Sequence, residues 1–295
     1  ANNTMEASNI FKIAGVPEHF NFPWHFAKDQ GYFAKAGLDI EWEDIKSGTG
    51  TLVKMVNSGE VDLAVLLTEG IIADIAKGGE SRIIQIFVKS PLNWGIHVAA
   101  NSPIQHKFGI KGKRFAISRK GSGSHIMAYV LADSLGYTPT EADFVIVNDL
   151  DGASKALQNG EADVFLWEKY MTMPFVESGI MKRVGEIPTP WPGFAIAAGK
   201  NTILNRSAEL KRLLKVIRTA AGDFMTHPDN FEHIAKRYTL KKDKMYEWFQ
   251  ITEWETNETI SADMIYTTTQ ILNKVGIIDE VLPPTAFCAE WCPIV

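Results

Sequence analysis

Apolar residues recur three and four positions apart in residues 51–62, TLVKMVNSGEVD, and the chain writes the same pattern again in residues 152–163, GASKALQNGEAD. Leu52, Met55 and Val56 of the first copy correspond to Ala153, Ala156 and Leu157 of the second, a spacing that predicts an amphipathic helix in each. Gly59 and Gly160 then stand where a left-handed residue ends a helix. A short, wholly apolar run follows each, 63–67 (LAVLL) and 164–167 (VFLW), as expected of a parallel strand covered on both faces. The shared G-E-x-D between helix and strand strengthens the match.

The likeness extends upstream. Residues 11–16 and 115–118 read as strands. Each is followed by a loop and a helix, then by a further strand at 38–45 in one half and 144–148 in the other. Two runs of strand, loop, helix, strand, loop, helix, strand predict two mostly parallel sheets with flanking helices, since such crossovers are right-handed. The expected organisation is a two-lobed α/β chain. A first lobe begins in residues 1–92, a second occupies 93–198, and residues 199–295 are helices that return to the first. The alternating strand at 95–100 and the stretch 189–198 are the two crossings, which implies a hinge and a ligand cleft. In the C-terminal part, Ser207 is expected to cap a helix that stops near Pro228. Helices over 230–238 and 243–254 follow, and a last one is capped by Ser261 and closed by Gly276.

Composition narrows the function. A length of 295 residues suits two domains, and 45% hydrophobic residues suffice for full cores. A net charge of −5 leaves no electrostatic footprint for nucleic acid. No run approaches the roughly 18 apolar residues of a spanning helix. Cys288 and Cys292 allow one tail bridge or a pair of idle thiols. The N-terminal stretch has neither the basic nor the apolar region of a signal peptide. It reads equally as a cytoplasmic start or as a periplasmic or secreted end after cleavage.

Three stretches carry a resemblance. Residues 29–40 (DQGYFAKAGLDI), 55–64 (MVNSGEVDLA) and 121–125 (GSGSH) are similar to the periplasmic-binding-protein folds that take up alkanesulfonates, nitrate and thiamine-pyrimidine precursors. Nearly the whole chain resembles them, which implies a two-lobed type II periplasmic-binding-protein-like fold. The chain also resembles the fungal thiamine-pyrimidine synthases, which are enzymes with a run of adjacent cysteines that holds iron. At the comparable place this chain has Trp191-Pro-Gly-Phe-Ala195, with no cysteine, and where transport members have Glu-Pro it has Glu168-Lys169. Both departures point to a separate subgroup with its own ligand.

Ligand contacts are expected at the carboxyl ends of the strands, where α/β proteins bind. In the first lobe these are Glu18, His19, Asn21 and Trp24 after the first strand, Ser47, Gly48 and Thr49 after the second, and Thr68 and Glu69 after the third. In the second lobe they are Ser118, Ser122, Gly123, Ser124 and His125, with Asn148 and Glu168. Asn93, Trp94 and Trp191 lie at the crossings. Ser122 or Ser124 is expected to cap a helix whose N-terminus favours an electron-rich group. The loops at Glu18–Trp24 and Ser122–His125 are expected to face one molecule, with Trp24 covering its flat face. Asp149 and Asp151 read as a turn, because a D-x-D without a third ligand falls short of a calcium loop. No G-x-S-x-G, H-E-x-x-H or zinc spacing occurs, so catalytic residues, metal and cofactor are all expected to be none. The expected function is binding of one small polar or heteroaromatic molecule, with an ABC-type permease as partner if the chain is exported. The alternative is an enzyme of the thiamine-pyrimidine-synthase kind.

Overall fold

The computed structural model describes residues 9–227, 229–239 and 241–295; Pro228 lies outside them. The strands are β1 (Ile10–Gly15), β2 (Asp39–Asp44), β3 (Leu63–Leu67), β4 (Arg82–Val88), β5 (Asn93–Ala99), β6 (Phe115–Ile117), β7 (Phe144–Ile146), β8 (Val164–Glu168), β9 (Met181–Pro188) and β10 (Phe194–Ala198). They form two five-stranded sheets, ordered β2-β1-β3-β10-β4 and β7-β6-β8-β5-β9. In each, the first three strands are parallel and the fourth is antiparallel to both neighbours. The fourth strands, β10 and β5, are the two segments expected as crossings.

The chain divides into two compact units. One contains the chain to Ser90, Trp191–Thr269 and Glu280–Val295, and the other Pro91–Pro190 and Gln270–Asp279. The chain therefore leaves the first unit after Ser90 and re-enters it at Trp191. Gln270–Asp279 group with the second unit, so the C-terminal part does not return to the first unit without interruption. There Lys274 pairs with Asp133 at 2.9 Å, and Ile278 is buried.

The duplicated stretch forms equivalent structure in each unit. The helix Thr49–Ser58 buries Leu52, Met55 and Val56, and the helix Leu150–Gln158 buries Ala153, Ala156 and Leu157. Burying a side chain the size of Leu or Met contributes roughly 1.5–3 kcal/mol, so the first helix is held more firmly than its Ala-rich counterpart. Gly59 and Gly160 are left-handed, with φ of 80° and 71°. The aspartate of G-E-x-D ties the helix–strand turn to the first strand. Asp62 accepts from the Lys12 N–H at 2.8 Å and donates its own N–H to the Lys12 carbonyl at 2.9 Å. Asp163 does the same with Arg114, at 2.9 Å in both directions. The repeated motif is therefore a brace for parallel pairing. Asp149 is also structural: its carboxylate accepts from the Gly152 N–H at 2.7 Å and caps the helix, the turn role expected of it.

Several boundaries differ from expectation. Residues 17–24 are not an open loop. A single 3-10 turn, His19–Asn21, leads directly into the helix Phe22–Asp29, because Pro23 is pre-organised for a first helical turn. Ser207 does not cap its helix. A short helix, Lys200–Asn205, runs up to it, so the preceding residue is Arg206, which pairs with Asp62 at 3.2 Å. The helix expected over 243–254 is Lys242–Ile251, and Trp254 instead bridges to Val88 at the edge of β4. Ser261 and Gly276 behave as expected: Ser261 Oγ accepts from the Met264 N–H at 3.1 Å, and Gly276 has a φ of 82°. The cysteine-bearing tail is packed, with Cys288 bridged to Ile83 and both cysteines buried as free thiols. Burial pushes them up to about 12 for Cys288 and about 11 for Cys292, which keeps them protonated and unreactive.

Candidate functional site

In the first unit, polar side chains are buried where β1 and β3 end. These strands are neighbours in the sheet, with Ala14 beside Ala64, so the residues that follow them are brought together. Gly15 makes the turn after β1 possible: a Cβ there would lie 2.7 Å from the Trp42 ring and 2.9 Å from Asn21 Nδ2. Asn21 uses that space to donate to the Val16 carbonyl at 2.9 Å, which pins the loop. His19 is fully buried, and its ring packs edge-on to Trp248 at 4.3 Å and beside Phe20 at 4.6 Å. Phe20 in turn contacts Phe194 at the start of β10, at 5.1 Å. Thr68 and Glu69, just after β3, are buried to 0% and 1% exposure.

These polar groups are not used up by the protein. Both ring nitrogens of His19, Thr68 Oγ1 and Trp248 Nε1 are buried without a hydrogen-bond partner. A native fold pairs nearly all such atoms, and each exception costs about 1–3 kcal/mol. Burial holds His19 down at about 3, so its ring is neutral, with one donor and one acceptor nitrogen. Desolvation pushes the Glu69 carboxyl up to about 7, against the opposing pull of its own N–H and the Trp191 indole. Desolvation likewise pushes the half-buried Glu18 up to about 7.

The remaining first-unit candidates pack or bond the backbone, although Asn21 Oδ1 and Trp24 Nε1 are also buried without a hydrogen-bond partner. Trp24 is fully buried between Phe33, stacked at 6.2 Å, Trp42 and Phe87. The early helix start turns it inward. Thr49 Oγ1 accepts from the Leu67 N–H at 3.3 Å, and the exposed Ser47 bonds Thr51 at 2.7 Å. Gly48, with a φ of 82°, precedes that helix.

In the second unit the corresponding loop bonds to itself. Ser122 is the N-cap of the helix Gly123–Ser134 and accepts from the His125 N–H at 3.3 Å. Ser124 Oγ accepts from the Ser118 N–H at 3.0 Å and lies 3.0 Å from Ser122 Oγ. His125 Nδ1 accepts from the Gly121 N–H at 2.8 Å. Glu168 accepts from the Met171 N–H at 2.9 Å, and the neighbouring Lys169 pairs with Glu186 at 2.7 Å. Asn93 also donates to Glu186, at 2.8 Å. Trp94 is buried edge-on to Trp167 at 6.2 Å. Asn148 is exposed, with a φ of 71°, and its N–H donates to the Ser118 carbonyl at 3.1 Å.

Sequence reasoning missed Trp248 and Tyr238. Both come from C-terminal helices and reach the β1 loop through ring contacts with His19, at 4.3 and 6.4 Å. The available signal was Trp248 on the buried face of its helix, beside Met245 and Phe249. Nothing local says which strand end that face covers.

Two sheets of this order, joined by exchanged antiparallel strands, define the class of two-lobed periplasmic-binding-protein folds. The Candida albicans CA3427 gene product, which defines a new family with the generic periplasmic binding protein fold, superposes with a TM-score of 0.86 and 29% identity over 92% of this chain and 91% of that one. The periplasmic aliphatic sulphonate binding protein SsuA of Escherichia coli shares the fold at a TM-score of 0.74, with 16% identity over 97% of this chain and 92% of that one. A putative aliphatic sulfonates-binding protein of Bacillus subtilis is 26% identical over 82% of this chain and 74% of its own. The chain belongs to the NMT1/THI5-like family, whose sequence profile matches residues 19–231. Among the described residues no three His, Cys, Asp or Glu side chains converge as a metal site. No helix among them is long and apolar enough to cross a membrane.

Proposed function

We propose that this chain is a solute-binding protein that holds one small polar or heteroaromatic molecule at the carboxyl ends of β1 and β3. The observation that carries this reading is the set of buried, unpartnered polar atoms on His19, Thr68 and Trp248, lined by the rings of Phe20 and Phe194. A ligand that met these atoms would recover the free energy they forfeit in the empty protein. The aromatic rings would supply most of the contact area, and the polar atoms the orientation. The solute-binding relatives support the same reading. An ABC-type permease is the partner that goes with it if the chain is exported.

Native mass spectrometry of freshly purified protein tests it, by releasing and weighing a retained small molecule. The His19→Phe and Thr68→Val variants should retain less of it. Equal retention by both variants would place the molecule elsewhere.

A further inference from the structure

The strand-end cluster of the first unit carries acid without base. Glu18 and Glu69 follow neighbouring strands, and neither forms an ion pair among the described residues. The groups around them are uncharged: the His19 ring, the Thr68 hydroxyl, and the indoles of Trp191 and Trp248. On the side of the C-terminal helices Glu18 faces Tyr238, whose hydroxyl is pushed up to about 12 by burial. Arg237, beside Tyr238 in the chain, is engaged with Tyr238 and with His25 Nδ1 at 3.2 Å. Two acidic groups beside aromatic faces form the surroundings that attract a cation, through carboxylate hydrogen bonds and the negative faces of the rings. An oxyanion placed there would meet like charge, with Arg237 already engaged by Tyr238 and His25.

We propose that the ligand of this site is a small organic cation, an ammonium or a protonated nitrogen heterocycle, and not a sulfonate or other oxyanion. This rests on the reading that the cluster is the binding site. Glu69 takes the N–H donors of the ligand from the β3 side and Glu18 takes them from the β1 side. Trp248 and Phe20 flank the flat part.

The test is calorimetric titration and thermal unfolding of the full chain at pH 8. The probes are the cations 4-aminopyridinium and benzylammonium, with benzyl alcohol and benzenesulfonate as neutral and anionic counterparts. At least one cation is expected to raise the unfolding midpoint and to bind at least about tenfold more tightly than benzyl alcohol. Glu69→Gln is expected to weaken that cation roughly ten- to a hundredfold, since it removes a charged hydrogen bond, and to leave benzyl alcohol unaffected. Glu18→Gln provides a second variant should the first fail to fold. Tighter binding of benzenesulfonate, lost in Thr68→Val, would overturn the charge assignment and leave the solute-binding reading standing. Cation binding unchanged in both glutamine variants, or no binding by any probe, would also overturn it. Mass spectrometry of the retained molecule would then decide the broader reading on its own.

Discussion

The loops that end β1 and β3 in the first unit, and β6 and β8 in the second, occupy the same positions in the same topology, yet their polar groups have opposite fates. Ser118, Ser122, Ser124 and His125 bond to one another and to nearby backbone. The buried His97 of β5 is also satisfied: its Nδ1–H reaches the Phe165 carbonyl at 3.1 Å, and its Nε2 accepts from Thr172 at 2.8 Å. In the first unit His19, Thr68 and Trp248 are just as buried and have nothing to bond. Duplication fixes where a loop sits, and the choice of side chain decides whether the loop closes on itself or waits for something else. The sequence expectation placed ligand contacts in both loops.

The comparison can be pressed at several points. The largest effect is expected from Trp24→Ala, at about 3–5 kcal/mol of lost stability, because this ring fills the core beneath the first-unit loop. Denaturant unfolding reads this; a mild loss with weakened ligand binding would return Trp24 to the site. Next, Glu69→Gln should stabilise the empty protein by roughly 1–3 kcal/mol at pH 8. The carboxyl titrates near 7 in the folded chain against its ordinary 4.5, so the folded state holds the proton longer. Stability is thus full below about pH 4.5 and falls as pH rises to about 7, and the benefit of glutamine should vanish in acid. Unfolding midpoints at pH 4 and pH 8 check this.

A matched pair of smaller substitutions tests the contrast directly. Thr172→Val should cost about 1–3 kcal/mol, since it strands His97 Nε2. Thr68→Val should be neutral or stabilising, since its hydroxyl bonds nothing. Equal losses would erase the difference between the units. The smallest effect is expected for Ser124→Ala, about 1 kcal/mol of stability from the lost Ser118 N–H bond, with ligand binding little changed. Unfolding and titration of this variant decide between a structural serine and a binding one.

Much of the fold was legible because it rests on local periodicity. The spacing of Leu52, Met55 and Val56 and the glycines at 59 and 160 speak through their own neighbourhoods. Asp62 and Asp163 were visible as a repeat, but their role depends on a strand about fifty residues upstream in each case, which no local pattern states. The proposed site was half legible for the same reason. Glu18, His19, Thr68 and Glu69 follow from the rule that ligands gather at strand ends, whereas Trp248 arrives from more than two hundred residues away in sequence. A run of serines looks the same whether its hydroxyls are free or bonded to each other, so the second-unit loop could not be weighed before its geometry was known.

The origin of the fourth strands also has a consequence during synthesis. All five strands of the second sheet lie within Asn93–Pro188, so a ribosome delivers that sheet as one unbroken stretch. The first sheet has β1 to β4 early but lacks its fourth strand until Phe194–Ala198 emerges, and β4 then has no neighbour on either side. The later-born sheet is thus expected to form first, ahead of the Gln270–Asp279 segment that completes its unit, while the N-terminal half waits with an apolar strand unpaired. That interval is when nascent chains call on chaperones and are most exposed to aggregation.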